Sequence, residues 1–129
     1  MKVVVVYGTR PELIKMIPVI YALKKSSLNT IVINTGQHKE MVAELERDFD
    51  ITPDISLEIM TANQTLTDIL VNVAKAIDPV LKEIDPDLVL LQGDTSTVAT
   101  VGTVCFYNKF KVGHVEAWLR SFEDGYPLG

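Results

Sequence analysis

The sequence predicts an α/β fold: a parallel β-sheet covered by helices on both faces, three layers in all. Three observations predict it. Short apolar runs recur without polar alternation, as in strands buried on both faces. A turn and then apolar residues at helical spacing follow most of these runs. No internal repeat or linker divides the 129 residues, and 47% hydrophobic residues can fill one core. A single domain over 1–129 is therefore expected.

The first unit sets the pattern. Val3-Val4-Val5-Val6-Tyr7 reads as a strand, Gly8-Thr9 as a tight turn, and Leu13, Met16, Ile17, Ile20 and Leu23 as the apolar face of a helix. Thr9 and Glu12 have capping-box spacing, in which hydroxyl and carboxylate each satisfy a free backbone N–H. Pro11 falls in the first turn, where its missing N–H costs nothing. Pro18 lies further in and is expected to kink the helix by removing the bond to Ile14.

A second buried strand is expected over 30–35, ending at Gly36. A short charged helix over 39–49 places Met41, Val42, Leu45 and Phe49 on one side. Alternation over 55–59 predicts a half-exposed edge strand. Asn63 and Thr65 open the longest helix, whose apolar residues run from Leu66 to Ile84 and which Pro79 bends. Asp85-Pro86-Asp87 closes it. Leu88-Val89-Leu90-Leu91 is apolar throughout and so reads as a central strand. Gln92-Gly93-Asp94-Thr95 is a turn with several candidate caps, followed by a helix over 98–107 and a fifth strand over 112–116. Residues 117–129 show no regular period. The simplest strand order is 3-2-1-4-5, with right-handed crossovers.

Composition narrows the function. Twelve basic against seventeen acidic residues leave a net charge of −5, with no Lys/Arg cluster to track a phosphate backbone, so nucleic acid is not an expected partner. The N-terminal apolar run is far shorter than a signal-peptide core or a membrane span. One cysteine, Cys105, sits in an apolar helical pattern and reads as a buried inert thiol. A soluble, cytoplasmic protein without membrane attachment is expected.

In open parallel sheets ligands bind beyond the carboxyl ends of the strands, at the switch point between diverging connections. The polar residues in those places are Arg10, Gln37, His38, Asp94 and Glu116. Asp94 and Glu116, on neighbouring strands, form a natural pair for proton transfer, since shared burial and repulsion raise one carboxyl pKa. Arg10 and Lys15, near a helix start, can hold an anionic group. Plainer readings stand beside these: Asp94 as a helix cap, Lys15 paired with Glu12 one turn back, His38 as an ordinary loop histidine. Glu12 argues against a phosphate-binding turn, because its carboxylate competes for the same backbone N–H groups. Neither G-x-x-x-x-G-K-[ST] nor G-x-G-x-x-G is present, and two histidines without further ligand spacing point to no metal site. No cofactor is expected.

Four separated motifs, Gly8-Thr9-Arg10-Pro11-Glu12 with Lys15-Met16, Thr35-Gly36-Gln37-His38, Gln92-Gly93-Asp94-Thr95, and His114-Val115-Glu116-Ala117 with Leu119-Arg120, resemble in order and spacing the non-hydrolysing UDP-N-acetylglucosamine 2-epimerases. The resemblance implies a Rossmann-like domain, the amino-terminal half of a glycosyltransferase B type fold. It implies interconversion of UDP-N-acetylglucosamine and UDP-N-acetylmannosamine by elimination and re-addition of UDP. It also implies Asp94 and Glu116 as catalytic carboxylates, Arg10, Lys15 and His38 as substrate contacts, and a homodimer. Two departures are expected to matter: the carboxyl-terminal nucleotide-binding domain is absent, and Trp118 stands where the family has glycine. A truncated chain, inactive or weakly active unless a separate carboxyl-terminal domain completes the site, is the expectation. The alternative is a non-catalytic α/β module that binds a sugar nucleotide or a protein.

Overall fold

A computed structural model describes residues 1–115. In chain order the elements are β1 (Lys2–Tyr7), α1 (Arg10–Lys25), β2 (Asn29–Asn34), α2 (Lys39–Asp48), β3 (Ile55–Ser56), α3 (Leu66–Ile84), β4 (Leu88–Leu91), α4 (Ser96–Tyr107) and β5 (Val112–His114). The sheet has the expected order, β3-β2-β1-β4-β5, with every pairing parallel.

The unbroken apolar run of β1 reflects burial on both faces. Val4 and Val6 join a core with Val73, Ile77 and Leu81 of α3 and Val98, Val101 and Cys105 of α4. Val5 and Tyr7 join the opposite core with Leu13, Met16 and Ile20 of α1 and Val42 and Leu45 of α2. Neighbouring residues of β1 thus point into different cores, which makes three layers from a period-2 strand. Helix α3, the longest, carries the connection from the edge strand β3, past β2 and β1, to β4.

Both internal prolines are exposed, Pro18 in α1 and Pro79 in α3. Each therefore sits on the solvent side of its helix, where water can serve the carbonyl that loses its N–H partner. Helix α3 opens with a capping box between Thr65 and Asp68 and closes at Asp85, in the left-handed conformation with φ 53°, just before Pro86.

The structure differs from expectation in several places. The third strand is two residues long rather than five, because β2 ends at Asn34 and the chain turns away at Gly36, φ 82°. Leu57 still donates its N–H to Asn34 at 2.9 Å, and Leu57 and Ile59 are buried in the core. Helix α4 begins at Ser96, two residues early, because Thr95 is its cap. On α2 only Val42 and Leu45 are buried, whereas Met41 and Phe49 are exposed, so its apolar stripe is narrower than its sequence. The fifth strand runs through His114, and the expected strand residue Glu116 lies outside the described residues. Among the described residues, no helix is long and apolar enough to cross a membrane.

Candidate functional site

The carboxyl ends of β1, β2 and β4 deliver three turns to one edge of the sheet: residues 8–10, 35–38 and 92–95. Side-chain hydrogen bonds tie these turns together.

The first bond set belongs to Glu12. The capping box with Thr9 forms as expected. Glu12 Oε1 accepts from the N–H of Gly8 at 2.9 Å and of Thr9 at 3.4 Å, while Glu12 Oε2 accepts from Thr95 Oγ1 at 3.4 Å. The carboxylate is buried and fills the helix start, as the sequence implied when it spoke against a phosphate-binding turn there. Thr95 in turn caps α4, its hydroxyl accepting from the Val98 N–H at 3.2 Å. The second link joins the β2 turn to α4: Thr97 Oγ1 donates to Gln37 Oε1 at 2.8 Å.

A buried network fixes the root of the β2 turn. Tyr7 donates its phenol to Glu46 at 2.5 Å, Asn34 Nδ2 donates to the same carboxylate oxygen at 3.2 Å, and Asn34 Oδ1 accepts from the Gly36 N–H at 2.8 Å. Burial, reinforced by the neighbouring Glu46, holds the Tyr7 phenol far above its ordinary pKa, so it remains a donor.

Two glycines have structural causes here. The Thr35 hydroxyl lies 2.2 Å from where a Cβ on Gly8 would stand. Gly93, immediately before Asp94, has φ 87°, a conformation that side chains resist even though nothing lies within 4 Å of its missing Cβ. Thr35 Oγ1 itself is buried and has no hydrogen-bond partner among the described residues.

Four of the five site residues expected from sequence can be placed. Arg10 is the first residue of α1 and is exposed. Lys15 follows it on the same helix, also exposed. His38 is the N-cap of α2 but makes no capping bond through its side chain, so the imidazole is exposed for other use. Asp94 is exposed too, and Thr95 takes the cap that Asp94 was equally able to fill by position. The structure therefore brings Arg10 and Asp94 to the ends of the adjacent strands β1 and β4, with their turns joined through Glu12 and Thr95. Glu116, Ala117, Trp118, Leu119 and Arg120 lie outside the described residues, whereas His114 and Val115 of that last motif lie within them. Sequence reading missed the second role of Glu12, the Thr97–Gln37 bond and the buried hydroxyl of Thr35. The Thr9/Glu12 spacing was the only visible hint of the first.

Among the described residues, no group of three or more His, Cys, Asp or Glu side chains could hold a metal ion. A hollow of about 620 Å³, lined in part by Asp87, Lys109 and Lys111, lies at the opposite end of the sheet, where β4 begins and the loop into β5 runs. It is remote from the joined turns. For a sheet of this order the carboxyl edge is the better candidate, because the helix starts and the strand switch meet there.

Residues 21–128 match the family model described as UDP-N-acetylglucosamine 2-epimerase.

The chain belongs to the UDP-N-acetylglucosamine 2-epimerase family.

It is 44% identical to the UDP-N-acetylglucosamine 2-epimerase of Yersinia pestis over 122 residues, 94% of this chain and 32% of that protein. The Escherichia coli K12 relative matches to the same extent. Among solved members, the fold superposes with a TM-score of 0.84 on the Methanocaldococcus jannaschii UDP-GlcNAc 2-epimerase in complex with UDP-GlcNAc and UDP, at 36% identity, covering 98% of this chain and 35% of that one. For the Neisseria meningitidis UDP-GlcNAc 2-epimerase bound to UDP-GlcNAc, the TM-score is 0.82 at 43% identity, covering 88% and 32%. The chain spans about a third of the length of the curated epimerases it matches. The parallel sheet with helices on both faces is thus the Rossmann-like architecture of these epimerases.

The contact over Gly8 is directly testable. Gly8→Ala is expected to destabilise the fold by about 1–3 kcal/mol, as overpacking does, and Thr35→Ala should recover part of that loss. Urea denaturation of the two single variants and the double variant measures it; strictly additive effects would contradict the contact.

Proposed function

We propose that the chain acts on UDP-N-acetylglucosamine as part of a 2-epimerase. The observation that carries this reading is the placement of Arg10 and Asp94. Both are exposed at the ends of adjacent central strands, their side chains without a hydrogen bond or ion pair among the described residues, in a chain of this family.

In the reaction a base takes the hydrogen at C2 while the C1–oxygen bond to UDP breaks, giving a 2-acetamidoglucal and free UDP. Re-addition of UDP at C1, with proton delivery to the other face of C2, yields UDP-N-acetylmannosamine. Asp94 and Glu116 are the carboxylates for these proton transfers, Arg10 and Lys15 the cationic contacts to the substrate's anionic portion, and His38 a further substrate contact. The C2 hydrogen is weakly acidic. General acid–base catalysis supplies only about 10²–10⁴ in rate, so the rest depends on holding the departing diphosphate.

That dependence bears on domain organisation. Residues 1–129 are proposed to form one Rossmann-like domain that supplies half of the site, a carboxyl-terminal nucleotide-binding domain supplying the rest. Alone, the chain should turn over weakly or not at all. Its residence is proposed to be cytoplasmic, consistent with the buried Cys105 thiol, which burial pushes up to about 11 and keeps unreactive.

The test is proton NMR of UDP-N-acetylglucosamine in deuterated water, following loss of the C2 hydrogen signal with and without a separately supplied carboxyl-terminal domain of a relative. Exchange is expected once that domain is present, and Asp94→Asn should slow it by about 10² or more. Ligand binding without exchange in either condition would instead favour the non-catalytic module.

Self-association is a second part of the proposal. Helix α4 carries no charged residue, and Phe106, Tyr107 and, on α3, Leu66 and Val71 are exposed. Exposed apolar side chains of that kind fit contact with a second copy of the chain. Light scattering should report a dimer, and Phe106→Glu should shift it to monomer; a wild-type monomer at working concentration would contradict this.

A further inference from the structure

The carboxylate of Glu12 is nearly enclosed, at 4% exposure, and each of its oxygens already accepts a hydrogen bond. A group so placed has no route to a ligand in the open edge. Its partners, however, belong to two different turns. Oε1 holds the Gly8 and Thr9 N–H groups, and the next residue is Arg10; Oε2 holds the hydroxyl of Thr95, and the preceding residue is Asp94. The linked residues are 83 apart in sequence. Strands β1 and β4 pair only through Val3–Val5 and Leu88–Leu90, so their ladder stops before either turn begins. Beyond the ladder, the hydrogen bond between Thr95 and Glu12 ties the two turns together.

We infer that Glu12 is a positioning residue, which fixes the turn bearing Arg10 against the turn bearing Asp94 and so sets the spacing between a substrate contact and a proton-transfer group. This rests on the epimerase reading for its catalytic consequence, but the coupling of the two turns stands on the hydrogen bonds alone. A side chain that sets spacing serves the step in which both groups act together, more than the binding that each makes separately.

Thr95 allows the coupling to be broken without disturbing Glu12. Glycine is tolerated as a helix cap at a small cost, so Thr95→Gly removes the bridge and spares α4, while Thr95→Ser keeps both bonds. The experiment is amide hydrogen exchange by NMR on the ¹⁵N-labelled full chain. Thr95→Gly should speed exchange at Gly8 and Thr9 by about fivefold or more, and Thr95→Ser should hold it within about twofold. Glu12→Ala, if it folds, should show the reciprocal effect at Val98. Unchanged Gly8 and Thr9 exchange in Thr95→Gly would overturn the inference.

The catalytic consequence is read with the carboxyl-terminal domain of a relative supplied. Thr95→Gly is expected to lower kcat for epimerisation about tenfold with KM within about twofold. A rise in KM at unchanged kcat would overturn a positioning role. A wild-type chain that never exchanges the C2 hydrogen would speak against the epimerase reading instead, since the amide comparison decides the coupling by itself.

Discussion

Burial of β1 on both faces is the constraint on which the rest depends. A strand flanked by β2 and β4 and covered by α1 and α2 on one side and α3 and α4 on the other has no room for polar side chains between its two end residues, Lys2 and Tyr7. Every polar group associated with it must emerge at an end. At the carboxyl end the chain emerges through Gly8, which must lack a side chain because the Thr35 hydroxyl occupies that space. The apolar centre of the sheet thus concentrates the chemistry at one edge.

At that edge the molecule separates groups that hold from groups that act. Glu12, Thr95, Thr97 and Gln37 are engaged with one another and stitch three turns into one surface. Arg10, His38 and Asp94 stand exposed on that surface. The division follows from the physics of burial: an enclosed carboxylate needs its oxygens satisfied, so it is suited to structure, whereas an exposed one remains available to a ligand. Solved epimerases that share this fold include two in complex with UDP-GlcNAc.

Much of the architecture was legible in sequence because it depends on local pattern. Strand order followed from apolar runs alternating with helices and from right-handed crossovers, and the Thr9/Glu12 cap from a three-residue spacing. What sequence did not reveal depends on tertiary approach. The bond from Glu12 to Thr95 and that from Thr97 to Gln37 join residues 83 and 60 positions apart, which no periodicity encodes. The short β3 has a similar cause: its alternation is genuine, but its partner strand turns away at Gly36. Asp94 was ambiguous between cap and site until Thr95 proved to hold the cap, because Asp94 and Thr95 are both good caps and adjacent in sequence.

The central claim is that ligand meets the chain at the carboxyl edge of the sheet, through the turns after β1, β2 and β4. The most direct measurement is an NMR titration of the ¹⁵N-labelled chain with UDP, mapping amide shifts by residue. The account predicts shifts concentrated in residues 8–15, 35–39 and 92–97. Shifts centred instead on Asp87, Lys109 and Lys111, at the opposite end of the sheet, would contradict it.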